Sequence, residues 1–127
     1  MLRLAVIVDV SGSIDDDLMR RFSREIEAIA RRQGAGLVLV IGDDRVRHVE
    51  CFDCGAADLS GIEFRGGGGT DFTPLLAAAD EHRPDAVVVL TDLDGPAGRP
   101  PRCPVIWAVP EAHSHRVQPF GRKLTLS

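Results

Sequence analysis

The chain alternates between continuous apolar runs and segments in which apolar residues return every three or four positions. Continuous runs are typical of strands that are covered on both faces, as in a parallel sheet. They occupy residues 4–8, 37–41, 86–90 and 105–109. Residues 46–52 follow a Gly-Asp-Asp turn and are predicted to pair antiparallel with the second strand at a sheet edge. Residues 124–126 are interpreted as a short sixth strand.

Two segments predict helices. Residues 15–33 place apolar side chains at helical spacing, with aspartates in the expected first turn and arginines in the last. A shorter helix is predicted to begin with Thr73 as N-cap and Pro74 as its first residue. Residues 53–69 and 93–104 show no helical period and predict loops. The order β-α-β-β-α-β-β predicts an α/β fold, with a Rossmann-like, mostly parallel sheet and one antiparallel edge strand.

Composition narrows the class of protein. A length of 127 residues favours a single domain, residues 1–127. The net charge of −4 lacks the broad basic footprint of a nucleic-acid binder, so we expect no nucleic-acid partner. No apolar run approaches the roughly 20 residues of a membrane helix, so we expect no membrane association. Three cysteines are too few for a disulfide scaffold, and we expect a reducing, cytoplasmic setting.

Polar side chains stand where the predicted strands and helices begin and end. Asp9, Ser11 and Ser13 follow the first strand, Thr70 precedes the second helix after four glycines, and Asp92 follows the fourth strand. Ligands of parallel sheets gather at the carboxyl ends of strands where the strand order reverses, so these segments meet if strands one and four are neighbours. Carboxylate and hydroxyl oxygens select hard cations such as Mg²⁺, and the absence of His and Cys from these segments disfavours zinc.

In order and context these residues resemble the metal-ion-dependent adhesion site (MIDAS) of von Willebrand factor A (VWA) domains. The segments LRLAVIVDVSGSI, GGGGTDF and TDLDG are similar, in particular, to a bacterial VWA-like domain at the C-terminus of metallopeptidase-like proteins, the DUF2201 type. The resemblance covers residues 3–109 and implies a compact VWA-like fold. In that family a longer N-terminal region precedes the domain, so excision from a longer protein is an open alternative.

The resemblance implies binding rather than catalysis. Ser11, Ser13 and Thr70 would contact a Mg²⁺ ion, or Mn²⁺ or Ca²⁺, and Asp9 and Asp92 would hold it directly or through water. The open coordination position would accept an Asp or Glu carboxylate from a protein partner. Bacterial VWA proteins are often associated with AAA+ ATPases, so such an ATPase, another protein assembly system or the chain's own N-terminal domain is an expected partner.

Some neighbouring residues keep two interpretations. Asp71 would either support the metal site or cap the second helix. Asp94 would either shape the turn at Gly95 or reach the metal through water. Ser13 or Asp15 would cap the first helix.

Two other functions remain open. A Mg²⁺-dependent phosphohydrolase on a similar sheet would use Asp9 as its aspartate. Enzymes of the haloacid-dehalogenase type place a second aspartate two residues later as general acid, and Ser11 cannot fill that role. A structural or assembly domain whose site has lost metal binding is the third hypothesis.

Two further expectations concern the rest of the chain. Cys51 and Cys54 form a lone CxxC pair, which is more typical of buried thiols than of a zinc or redox site. Two helices are too few to cover a sheet of five or six strands, so part of one face should be thinly covered. We expect another domain or a second copy to pack there.

Overall fold

The computed structural model describes residues 3–33, 36–52, 64 and 66–126. One six-stranded sheet forms the centre of these residues. Its strands are β1 (Arg3–Asp9), β2 (Gly36–Gly42), β3 (Val46–Phe52), β4 (Ala86–Leu90), β5 (Val105–Pro110) and β6 (Arg122–Leu126). The helices are α1 (Asp16–Gln33) and α2 (Phe72–Glu81), and a 3-10 turn spans Glu111–His113.

The spatial order of the strands is β3-β2-β1-β4-β5-β6. Every neighbouring pair is parallel except β2 and β3, which pair antiparallel. The predicted α/β fold with one antiparallel edge strand is therefore confirmed. The chain order reverses between β1 and β4, and this is where parallel α/β sheets form ligand sites.

The two helices cover opposite faces of the sheet because successive residues of a strand point to opposite sides. Val6 and Val8 of β1 pack with Phe22 and Ile26 of α1 in one apolar cluster. Ile7 belongs to the second cluster, which contains the apolar face of α2. Both faces of β1 are thus buried, as its continuous apolar run predicts.

The helix caps differ in part from the prediction. Asp15 caps α1, because its Oδ1 accepts from the Leu18 amide at 2.8 Å. Thr73 is not the N-cap of α2, and the alternative cap is confirmed: Asp71 is the N-cap and accepts from the Thr73 amide at 3.0 Å. Asp71 supplies an equally suitable oxygen two residues earlier, and Pro74 is still in the first turn, where its missing N–H costs nothing.

The α1 side of β4, β5 and β6 has lighter cover than the centre of the sheet. Val88 and Ile106 are neighbours in register and are only partly buried there. Leu124 of β6 is 57% exposed. These side chains agree with the expected thin cover on one face, and the packing of another domain or copy against it stays a prediction.

Candidate metal centre

Asp9 lies at the carboxyl end of β1, directly beside the end of β4. Val8 and Leu90 are in register, so the residues that follow them, Asp9 and Thr91, are neighbours as well. The Thr91 hydroxyl donates to Asp9 Oδ2 at 2.6 Å, and the Ser11 amide donates to Oδ1 at 2.9 Å. The adjacency of strands one and four, on which the sequence-based site depends, is therefore confirmed.

The Asp9 carboxylate is completely buried. Burial disfavours its charged form and raises the pKa of Asp9, and the nearby Asp92 carboxylate acts in the same direction. The hydrogen bonds from Ser11 and Thr91 oppose this effect only in part. In the described part of the chain, no Lys, Arg or His side chain pairs with Asp9. Among the residues that the structure describes, an ionised Asp9 therefore has no counter-charge.

Asp92 begins a tightly folded turn after β4. Asp92 is 1% exposed, and its Oδ1 accepts from the Asp94 amide at 3.3 Å. Leu93 between them has φ of 62°, in the left-handed region that a bulky side chain rarely adopts. The Leu93 amide donates to Thr91 Oγ1 at 3.0 Å and helps to hold this conformation. Backbone strain of this kind tends to occur at functional sites.

Two of the three hydroxyl residues, Ser13 and Thr70, lie nearer the surface than the carboxylates. Ser11 Oγ and Ser13 Oγ are 3.2 Å apart, with Ser11 buried and Ser13 exposed. Thr70 is half-buried and packs against Gly95, because a Cβ added there would lie 2.6 Å from Thr70 Cγ2. The buried carboxylates thus form the floor of the candidate site, and Ser13 and Thr70 stand toward solvent.

Backbone hydrogen bonds join the segments that carry these side chains. The Gly12 amide donates to the Gly68 carbonyl at 3.1 Å, which joins the loop after β1 to the glycine-rich loop. The Phe72 amide donates to the Pro96 carbonyl at 2.8 Å, which joins the start of α2 to the loop after β4. The segments that carry all the predicted ligands therefore meet at one end of the sheet.

The four glycines differ in what they permit. A Cβ on Gly66 would lie 2.4 Å from the Val10 carbonyl oxygen, and Gly67 has φ of +103°. A Cβ on Gly69 would meet nothing within 4 Å. Close approach of the loops therefore requires Gly66, the positive φ requires Gly67, and neither reason applies to Gly69.

Asp43 is a buried residue that the sequence indicates only as part of a turn. Its carboxylate accepts from Arg47 Nε at 2.9 Å, Arg47 Nη2 at 3.0 Å and the Gly68 amide at 3.1 Å. Despite burial, these bonds and the guanidinium charge lower the pKa of Asp43 to about 2. Its backbone carbonyl also accepts from the Asp71 amide at 3.0 Å. Asp43 and Arg47 therefore fix the loop that carries Thr70.

Arg116 is the second residue that the sequence did not indicate. It precedes β6, and its Nη1 donates to the Asp92 carbonyl at 2.9 Å and lies 4.0 Å from Asp92 Oδ2. The two partners are 24 positions apart in sequence, and the loop around Arg116 is irregular, so no sequence pattern could predict this contact.

The remaining predicted residues have these positions. Asp71 caps α2 through Oδ1, and Asp94 is exposed, so any metal-related role of either stays a prediction. Cys51 is an exposed free thiol, and Cys54 lies outside the described residues. Within the described ranges, no three His, Cys, Asp or Glu side chains form a potential metal cluster. The candidate site instead combines two carboxylates with hydroxyls.

In the described ranges, neither helix has the length and apolar character that crossing a bilayer requires.

The sheet order, the two helices and the polar residues at the β1–β4 edge define a compact α/β domain of the VWA type. Residues 4–127 match the family model described as "VWA-like domain (DUF2201)", and the chain belongs to this family. The predicted resemblance is thereby confirmed. A Thermotoga maritima protein described as "Uncharacterized protein" is 34% identical over 91 residues, which are 71% of this chain and 22% of the relative. The aligned part is thus under a quarter of that relative's length. No solved structure matches the chain.

Proposed function

We propose that the domain is a non-catalytic, metal-dependent protein-binding module. Asp9, Ser11, Ser13, Thr70 and Asp92 would hold Mg²⁺, or Mn²⁺ or Ca²⁺, and a partner's Asp or Glu carboxylate would complete the coordination. The observation that carries this proposal is the pair of buried carboxylates, Asp9 and Asp92, at the β1–β4 edge. No described side chain neutralises the charge of Asp9. Buried charges in proteins are normally paired or coordinate a metal.

The composition of the site fits a hard divalent cation. All the candidate donors are oxygens, and two carboxylates match the charge of one divalent ion. The Ser11 amide donates to one Asp9 oxygen and the Thr91 hydroxyl to the other, and each carboxylate oxygen has a second lone pair that can face the ion or a water molecule. When bound, the ion would supply a positive charge that accepts an outside carboxylate oxygen.

The exposure of the site supports binding of a macromolecule. The carboxylates lie below the surface, whereas Ser13 is exposed and Thr70 is half-buried. A cation held from below would direct its vacant position to solvent, where an acidic side chain of another protein can reach it. An AAA+ ATPase, another assembly system or the protein's own N-terminal region are the partners that we propose. The exposed free thiol of Cys51 favours a cytoplasmic setting.

Calorimetry with Mg²⁺ and Mn²⁺ tests the metal site. We expect wild-type protein to bind Mn²⁺ and Asp9→Ala to bind it at least about 100-fold more weakly, since the variant loses one of two charged ligands. Glu81→Ala removes an exposed negative charge at the far end of α2 and should match wild type. Failure of wild type to bind either ion, with or without an added carboxylate, would contradict the proposal.

A hydrolysis assay with a generic phosphate ester tests the alternative function. Hydrogen bonds to both Asp9 oxygens and serine at position 11 favour a ligand-holding role over a nucleophile with a nearby general acid. We therefore expect no turnover with Mg²⁺. Turnover that Asp9→Asn abolishes would favour a phosphohydrolase instead.

A further inference from the structure

Arg116 brings a positive charge to the edge of the candidate metal site. Its Nη1 donates to the Asp92 carbonyl at 2.9 Å, while the distance to Asp92 Oδ2 is 4.0 Å. The guanidinium is therefore anchored to the backbone of Asp92 without a close ion pair to its carboxylate. In the described ranges, no other Lys or Arg pairs with Asp9 or Asp92.

The loop around Arg116 is held in place from β6. Lys123 Nζ donates to the carbonyls of Ser114 and Arg116, and the Arg116 amide donates to the His113 carbonyl at 3.1 Å. These bonds fix the backbone from which the guanidinium extends. Its position beside Asp92 therefore follows from the fold and requires no ordering when a ligand arrives.

Most of the hydrogen-bonding capacity of Arg116 is available to a ligand. A guanidinium has five N–H donors, and among the described residues one of them has a bond, to the Asp92 carbonyl. The side chain is 34% exposed. A second positive charge beside a cation site weakens cation binding, so the arrangement is unfavourable for the metal alone. It becomes favourable once a carboxylate lies between the two charges.

We propose that Arg116 is the second anchor for the partner's carboxylate. One carboxylate oxygen would fill the vacant position on the metal, and the other would accept from the Arg116 guanidinium. The planar fork of arginine suits a carboxylate better than a neutral amide, so Arg116 would select Asp or Glu over Asn or Gln. This inference rests on the proposed metal-dependent function.

The test measures metal binding and carboxylate binding separately. Mn²⁺ affinity is measured by calorimetry without a ligand. Affinity for N-acetylglutamate amide is then measured by NMR titration at saturating Mg²⁺, with N-acetylglutamine amide as the neutral probe. Arg116→Gln removes the charge, and Arg116→Lys keeps the charge without the fork. Arg122→Gln removes the same charge from an exposed position at the start of β6 and serves as the control.

We expect opposite changes in Arg116→Gln: Mn²⁺ affinity equal to or higher than that of wild type, and affinity for the acidic probe about tenfold lower. Arg116→Lys should lie between the two, and Arg122→Gln should match wild type. Unchanged affinity of Arg116→Gln for the acidic probe would overturn the Arg116 proposal alone. A loss of Mn²⁺ affinity as large as the loss for the probe would do the same, since it indicates a purely structural role. Wild-type protein that binds no Mn²⁺ even when N-acetylglutamate amide is present would refute the proposed function, and the Arg116 proposal with it.

Discussion

Asp9 and Asp43 lie at the carboxyl ends of adjacent parallel strands, yet their surroundings are opposite. Asp9 is in register with Gly42, the residue before Asp43, and both aspartates are completely buried. Asp43 accepts two bonds from Arg47, and its pKa is lowered to about 2. Asp9 accepts from a hydroxyl and an amide beside a second carboxylate, and its pKa is raised.

The difference separates a structural carboxylate from a functional one. The protein supplies the cation for Asp43 from its own chain, and the resulting pair fixes the loop that carries Thr70. No described side chain supplies a cation for Asp9. Under the proposed function that cation comes from solution. Burial depth alone would not distinguish these two aspartates, whereas the charge of their partners does.

The largest effect on stability is expected at Asp43. Asp43→Ala leaves Arg47 and the Gly68 amide without their partner, and we expect the free energy of unfolding to fall by about 3 kcal/mol. Asp44→Ala is the matched control, because Asp44 is an exposed neighbour and should change stability by only about 0.5 kcal/mol. Urea denaturation measures both. Equal losses in the two variants would remove the structural role assigned to Asp43.

Low pH should remove the contribution of the Asp43 carboxylate to stability. Because the folded-state pKa of Asp43 is below its ordinary value, its stabilising contribution is full above about pH 4 and is lost as pH falls toward 2. The stability advantage of wild type over Asp43→Asn should therefore shrink by about 1 to 2 kcal/mol across this range. Denaturant unfolding at several pH values gives the difference between the two proteins. An advantage that grows on acidification would contradict the lowered pKa.

The packing of Thr70 on Gly95 gives a smaller, geometric test. A Cβ at position 95 would lie 2.7 Å from the Thr70 carbonyl oxygen as well as close to its side chain, so Gly95→Ala must displace Thr70. We expect Mn²⁺ affinity to fall about tenfold, the order of effect of a misplaced metal ligand. Gly69→Ala, which meets nothing within 4 Å, should bind as wild type does. Calorimetry showing the same affinity for both variants would argue against Thr70 as a ligand.

The smallest effect is an increase in stability. The raised pKa of Asp9 means that the fold disfavours its ionised form. Protonated Asp9 contributes fully to stability below the ordinary pKa of aspartate. This contribution is lost as pH rises through the folded-state pKa. At pH 7 without metal, we expect Asp9→Asn to be more stable than wild type by about 1 kcal/mol or less. Saturating Mg²⁺ should reverse the order by stabilising wild type alone. Thermal unfolding with and without Mg²⁺ measures the stability of both proteins. If metal-free Asp9→Asn is less stable than wild type, Asp9 stabilises the fold as Asp43 does, which contradicts the contrast between them.

The sequence predicted the sheet well because its information is local. The apolar runs of β1 and β2 are buried on both faces, and those of β4 and β5 are buried except at partly covered positions on one face; each run predicts its strand by itself. The sequence offers two suitable cap residues for α2, Asp71 and Thr73, two positions apart. It does not decide between them, because the choice depends on how the loop enters the helix.

The candidate site was only partly predictable for the opposite reason. Strand and helix boundaries indicate Asp9, Thr70 and Asp92, because the topology of a parallel sheet brings such boundaries to one edge. The Asp43 contact with Gly68 and the Arg116 contact with Asp92 depend on the paths of irregular loops. No hydrophobic period or motif encodes those paths.

Anomalous scattering from crystals soaked in Mn²⁺ shows directly whether a metal ion binds at the β1–β4 edge. We expect one peak there, within coordination distance of Ser11 Oγ, Ser13 Oγ and Thr70 Oγ1, with Asp9 and Asp92 bound directly or through water. We expect no peak at Asp43, where Arg47 already supplies the positive charge. A peak at Asp43, or none at the β1–β4 edge at saturating Mn²⁺, would contradict the proposed metal site.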